Sequence, residues 1–230
     1  MAAFPHDATP MPALLALSHA LEAIAACNDD RDVWERYGWV HASDGDEREA
    51  VFWLSEPDSG DDEPAVEAFV ARHGLRMYLE AATFADVLAV QKRQHPLSTL
   101  DDYAQALAYY SEYDAFAQVE GIDEALGEAS AEAQQAARAL GVGPGIFAAF
   151  DLVLAQCPAE KIKDAARLAA AVLGISIGQA LVACRLLPLR LGQDLARHRA
   201  ATIAAQFQAA GICLDIRGHR PFPWMAAPAL

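Results

Sequence analysis

Residues 150–217 switch hydrophobic period in a fixed order, and that order leaves few folds open. Phe150-Asp151-Leu152-Val153-Leu154 is a short alternating apolar run and predicts a strand. Residues 159–173, rich in Ala, Leu and Lys, predict a helix that stops at Gly174. A second helix begins near Ser176 and carries Ile177, Ala180, Leu181 and Cys184 on one side until Pro188 ends it. Residues 189–195 read as a short edge strand. A third helix over 200–210 sets Ile203, Ala204, Phe207 and Ala210 at helical spacing. Gly211 closes it, and Ile212-Cys213-Leu214-Asp215-Ile216 returns as a strand. The order β-α-α-β-α-β predicts one three-stranded sheet covered on one face by helices.

The rest of the chain differs from this stretch most sharply in charge. Residues 1–150 hold 27 acidic and 8 basic side chains, a net charge of -19, whereas residues 151–230 hold 5 and 9, a net charge of +4. Phosphate would be repelled by the front of the molecule, so nucleic acid is not an expected partner and a basic protein is. The run Gly141-Val142-Gly143-Pro144-Gly145 reads as a linker. The expected organisation is therefore α+β in two domains: an acidic domain over 1–140 with helices and a small antiparallel sheet, the linker 141–145, the three-stranded domain over 146–218, and a tail over 219–230.

Within the front part, Leu14, Leu17, Leu21, Ile24 and Ala25 fall on one face of a predicted helix over 13–27, and Asp30 or Asp32 can cap a short second one. A hairpin follows, with strands at 38–41 and 50–54, and its alternation puts Trp39 and His41 on one face, with Val40 opposite. Phe52 and Leu54 likewise oppose Trp53. The loop 55–63 is rich in Pro, Gly and Asp, and Pro64 suits the first turn of a helix to His73. Residues 75–79 predict a third strand, Thr83 a helix start running to about Gln94, and Ser98-Thr99-Leu100-Asp101-Asp102 a capping-box-like start to a helix reaching about Gln118. Tyr103, Tyr110 and Tyr113 or Phe116 lie close to one stripe of it. An Ala- and Glu-rich helix is expected over 123–140.

Two resemblances add to these readings. Phe150-Asp151-Leu152, Lys161-Ile162, Leu173-Gly174-Ile175-Ser176-Ile177, Gln179-Ala180, Pro188 and Gln208-Ala209-Ala210-Gly211 together resemble the C-terminal domain of the bacterial ribosomal stalk protein, over roughly the last third of the chain. That resemblance implies the fold shared with the Clp protease adaptor and a helix hairpin that docks a GTPase or ATPase. Gly178 and Leu181 stand where the family carries lysines and Ser176 where it has a turn glycine, so Arg167, Arg185 and Arg190, beside Leu181, are left as the hairpin's candidate binding residues. Residues 74–116, ending Tyr109-Tyr110-Ser111-Glu112-Tyr113-Asp114-Ala115-Phe116, resemble small uncharacterised bacterial domains, some of which look like immunity proteins from toxin loci.

No catalytic motif is recognised: the chain lacks G-x-G-x-x-G, G-x-x-x-x-G-K-[ST] and H-E-x-x-H, and Gly174-Ile175-Ser176-Ile177-Gly178 matches G-x-S-x-G in letters alone, since it joins two predicted helices where a nucleophile elbow turns from strand to helix. His41 beside Asp44 or Asp46 is the nearest thing to a base with an orienting carboxylate. Asp44-Gly45-Asp46 lacks the register of a calcium loop, and the four scattered cysteines read as small buried residues of a reducing cytoplasm, so no metal or cofactor is expected. No run reaches the ~18 apolar residues of a membrane span, so the chain is expected to be soluble and cytoplasmic. What remains is an acidic docking surface, Asp44, Asp46, Glu47, Glu49, Asp58, Asp61, Asp62 and Glu63, with Trp39 and Trp53 beside it. The function expected from the sequence is non-enzymatic protein binding, foremost an immunity protein that occludes a basic toxin surface. The alternative is a translation or Clp-proteolysis adaptor working through the hairpin.

Overall fold

The computed structural model describes residues 13–57, 63–120, 122 and 127–230, and for Glu63 the backbone alone. Its fold is α+β, with two small antiparallel sheets. The first sheet has the order β1-β3-β2-β4, formed by β1 (Leu15–Ala16), β2 (Trp39–Ser43), β3 (Val51–Leu54) and β4 (Leu75–Glu80). The β2–β3 register pairs Val40 with Leu54, His41 with Trp53 and Ala42 with Phe52, so the expected alternation holds. Val40, Ala42, Phe52 and Leu54 face a core built with α1 (Leu17–Ala25), α4 (Ala81–Gln94) and α5 (Leu100–Tyr113). His41 and Trp53 face the other way, where α3 (Glu63–His73) brings Phe69 to 4.6 Å from the Trp53 ring.

Local chemistry explains the helix ends. Asp29, rather than Asp30 or Asp32, caps α2 (Asp30–Arg36) by accepting from the Asp32 N–H, because its backbone is still extended while Asp30 and Asp32 are already inside the helix. Thr99 and Asp102 close a reciprocal capping box on α5, a device worth about 1 kcal/mol. Asp114 ends that helix with its backbone in the left-handed region at φ 50°, a conformation Asp tolerates better than most side chains. The helix expected over 123–140 is seen as α6 (Ala131–Ala139), capped by Ser130, and residues 123–126 lie outside the described residues.

The second sheet has the order β6-β5-β7, with β5 (Ala149–Leu154) in the middle and β6 (Leu189–Ala196) and β7 (Asp215–His219) antiparallel to it. Phe150, Leu152 and Leu154 point into a core filled by α7 (Ile162–Leu173), α8 (Ile177–Ala183) and α9 (Arg197–Ala209). Ala165, Ala166, Ala169, Ala170, Ala180 and Ala200 are all buried there, and side chains this small let the helices approach closely. Gly174 adopts φ 66° to stop α7, Ser176 and Gln179 form the capping box of α8, and the two helices meet at 114°. Lys161 closes the far end, donating to the Ala210 and Gly211 carbonyls at 2.9 and 2.8 Å. The last strand differs from expectation: it runs over 215–219 instead of 212–216. Ile212 packs into the core as the chain leaves α9, and Ile216 lies exposed within the strand.

The two parts of the chain are stitched where a linker and a tail were expected. Gly143 donates to the Arg220 carbonyl and Arg220 to the Gly141 carbonyl, both at 2.9 Å. Ile146 and Phe222 are buried in the first core, with Phe147, Trp224 and Met225 packed against it. The tail then passes over Gly218, where a Cβ would come within 2.1 Å of the Pro228 carbonyl oxygen.

Candidate protein-binding faces

The turn between β2 and β3 presents the first set of expected acidic residues. Asp46 organises it: its carboxylate accepts from the Arg48 backbone and guanidinium, with the shortest contact at 2.5 Å, and this pairing holds its pKa down at about 2. Asp44 pairs with Arg76 at 3.0 Å, although its side chain remains 90% exposed. Glu47 accepts from the Tyr78 hydroxyl at 3.2 Å, and that hydroxyl also lies against Ser111 of α5. Glu49 is exposed. The turn thus abuts α5, whose Asp101 attracts Arg48. Asp58, Asp61 and Asp62 lie outside the described residues, and Glu63 begins α3. Pairs this exposed bind weakly, so Arg48 and Arg76 reduce the negative field of the turn without cancelling it.

The two tryptophans do not line this surface as expected. Trp53 is buried beneath Phe69, and Trp39 is half-buried, because the face of the sheet away from the main core is covered by α3 rather than left to solvent. His41 is buried too, its ring 5.0 Å from that of Trp53; burial lowers its pKa, and its Nδ1 has no partner. No acid–base pair with Asp44 or Asp46 forms.

Aromatic exposure falls instead on α5. The predicted stripe splits: Tyr103 is fully buried, Tyr110 half-buried, and Tyr109 and Tyr113 stand out at 41% and 57% exposure. The latter two rings lie 4.7 Å apart, with exposed Phe116 just beyond the helix. Tyr103 and Tyr110, seven residues apart, do share the inward side, which is set by Tyr103, Ala104, Ala106 and Leu107, while Tyr109 and Tyr113 lie off it.

The hairpin of α7 and α8 offers a face of opposite character. Leu186, Ile177 and Val182 are 74%, 59% and 56% exposed, and Leu181 is half-buried beside them. Arg185 is exposed, Arg167 pairs with Asp164, and Arg190 donates to Gln193 at 2.8 Å.

One half-buried and one fully buried polar grouping carry no signal in the sequence. Arg138 on α6 bridges Asp151 at 2.5 Å and Asp194 at 2.6 Å, while His219, fully buried, places Nε2 3.0 Å from Asp151. Burial pushes the Asp151 pKa up, but the bonds from Arg138, the Asp194 N–H and His219 outweigh it and leave it lowered. The second is Lys92, buried with no hydrogen-bond partner on Nζ, its pKa driven down to about 7 by desolvation and its amine 5.6 Å from the Phe222 ring centre. Of the cysteines, Cys213 is exposed rather than buried, since it sits in the turn leaving α9. Among the described residues no group of three His, Cys, Asp or Glu is placed to hold a metal ion, and no single helix is long and apolar enough to cross a membrane.

Residues 14–119 match the model of a family described as a domain of unknown function, DUF7716. That span holds both the acidic turn and α5. No curated protein and no solved structure matches the chain, so neither the stalk nor the immunity resemblance gains a named relative.

Proposed function

We propose that this chain is a non-enzymatic protein-binding module whose acidic N-terminal face covers a basic surface of a partner protein, in the manner of an immunity protein occluding a toxin. The observation that supports it is the pairing of turn and helix. Glu47 and Glu49 on the β2–β3 turn adjoin α5 through Tyr78 and Arg48, with Asp101 close to Arg48 and Asp44 on the same turn, and among the described residues Arg48 and Arg76 are the cations paired to the turn. One-signed charge held on rigid elements raises the rate of encounter with a cationic surface and orients the approach. The test is binding to basic protein domains encoded beside this gene, at low and high salt. The reading expects a complex that weakens with salt and with Glu47→Gln/Glu49→Gln, and a salt-insensitive complex would refute it.

A second reading takes the hairpin as the docking face of an adaptor. Ile177, Val182 and Leu186 favour it, since each is more than half exposed within one helix-and-turn segment, and exposed apolar area that is contiguous marks an interaction site. Leu186→Ser would then abolish partner binding and Glu47→Gln would not.

A further inference from the structure

We infer that the outward face of α5, where Tyr109 and Tyr113 stand exposed over its last turn, is the contact point for arginine side chains of the basic partner. This rests on the acidic-face reading and adds which groups of the partner are recognised and by what.

The helix fixes the geometry. Asp101, Gln105, Tyr109 and Tyr113 follow one another at four-residue spacing, all exposed, while the opposite side is locked into the core by Tyr103, Ala104, Ala106 and Leu107. The capping box at Thr99 and the left-handed stop at Asp114 hold both ends, so the rings are presented on a rigid element. Tyr109 and Tyr113 contact each other at 4.7 Å with planes tilted by 44°, which leaves ring surface uncovered on the solvent side. Tyrosines at this exposure supply large contact area at small entropic cost, as at protein-binding hot spots.

Charge chooses the occupant. No Lys, Arg or His occurs between Leu100 and Glu120, whereas Asp101, Asp102, Glu112, Asp114 and Glu120 all do. A guanidinium can stack on a tyrosine face and reach a neighbouring carboxylate with its fork of donors, which an ammonium does less well. An anionic surface, whether nucleic acid or phospholipid, would be repelled. The molecule already shows the mode in small, with the Arg76 guanidinium 5.5 Å from the centre of the Tyr78 ring.

The test uses the full chain with nona-arginine and nona-lysine peptides, followed by calorimetry, beside sedimentation of the protein alone. Wild type is expected to bind nona-arginine about fivefold or more tighter than nona-lysine, the yield of two exposed stacking contacts. Tyr109→Ala/Tyr113→Ala should erase that preference by weakening nona-arginine far more than nona-lysine. Tyr109→Phe/Tyr113→Phe, which keeps the rings, should retain it. Equal binding of both peptides, or a preference indifferent to the alanine pair, overturns the inference while the acidic-face reading stands. No binding of either peptide removes both. Self-association of wild type that the alanine pair abolishes would show a second copy to be the occupant and would also overturn it.

Discussion

Replacing Lys92 by Met should make the protein more stable, and the gain should depend on pH in one direction. Lys92 lies in the first core with no partner for its amine, under the Phe222 ring. Desolvation takes its pKa from 10.5 to about 7. At 1.36 kcal/mol per pH unit, that drop corresponds to about 5 kcal/mol of cost to the folded state below pH 7. The Phe222 ring face returns part of this, so Lys92→Met is expected to gain about 2–5 kcal/mol at pH 6. The direction with pH follows from proton counting. Between pH 7 and 10.5 the unfolded chain holds a proton that the folded chain has released, so wild-type stability rises with pH across this window and is flat below it. The advantage of Met should therefore be greatest at and below pH 7 and shrink steadily toward pH 10.5. Urea unfolding of both proteins at several pH values between 6 and 10 measures it directly. A variant less stable than wild type at pH 6, or a difference that does not move with pH, would show that the Lys92 amine is not a buried, unpaired charge.

Two further substitutions probe how the parts of the chain are joined. Phe222→Ala removes a fully buried ring that contacts Tyr103 at 5.1 Å and stacks on Trp224 at 5.0 Å, and should cost about 3–5 kcal/mol in urea unfolding; a loss below about 1 kcal/mol would mean the tail is not part of the first core. Arg138→Met leaves Asp151 and Asp194 without their shared cation and should cost about 1–3 kcal/mol at pH 7, a figure reduced for partial solvent exposure. Because the folded pKa of Asp151 lies below its ordinary 3.8, that contribution is present above pH 3.8 and lost as pH falls through the folded value, so the gap between variant and wild type should narrow in acid.

Local chemistry made much of the fold legible. The alternation around Val40 and Phe52, the stop at Gly174 and the box at Thr99 each involve residues within a turn or strand of one another, and the structure follows them. What was not legible depends on partners far along the chain. Pro221, Phe222, Pro223 and Trp224 show no period, so nothing in them announced that they would return to a core begun at Leu17. Arg138, Asp151, Asp194 and His219 come from four separate elements. Lys92 lies in the polar run Gln91-Lys92-Arg93-Gln94, of residue types that mostly stay in solvent, yet Gln91, Lys92 and Gln94 are all buried. For the candidate site, the acidic turn is visible as charge, but the exposed pair Tyr109 and Tyr113 is not, because which side of α5 turns inward is set by packing against elements distant in sequence.

Hydrogen exchange of the free and partner-bound protein distinguishes contact through the acidic face from contact through the hairpin. Binding through the acidic face should slow exchange in the β2–β3 turn over 44–50 and along α5 and leave the α7–α8 hairpin unchanged. Protection confined to residues 177–186, with the turn and α5 exchanging as in the free protein, would contradict it.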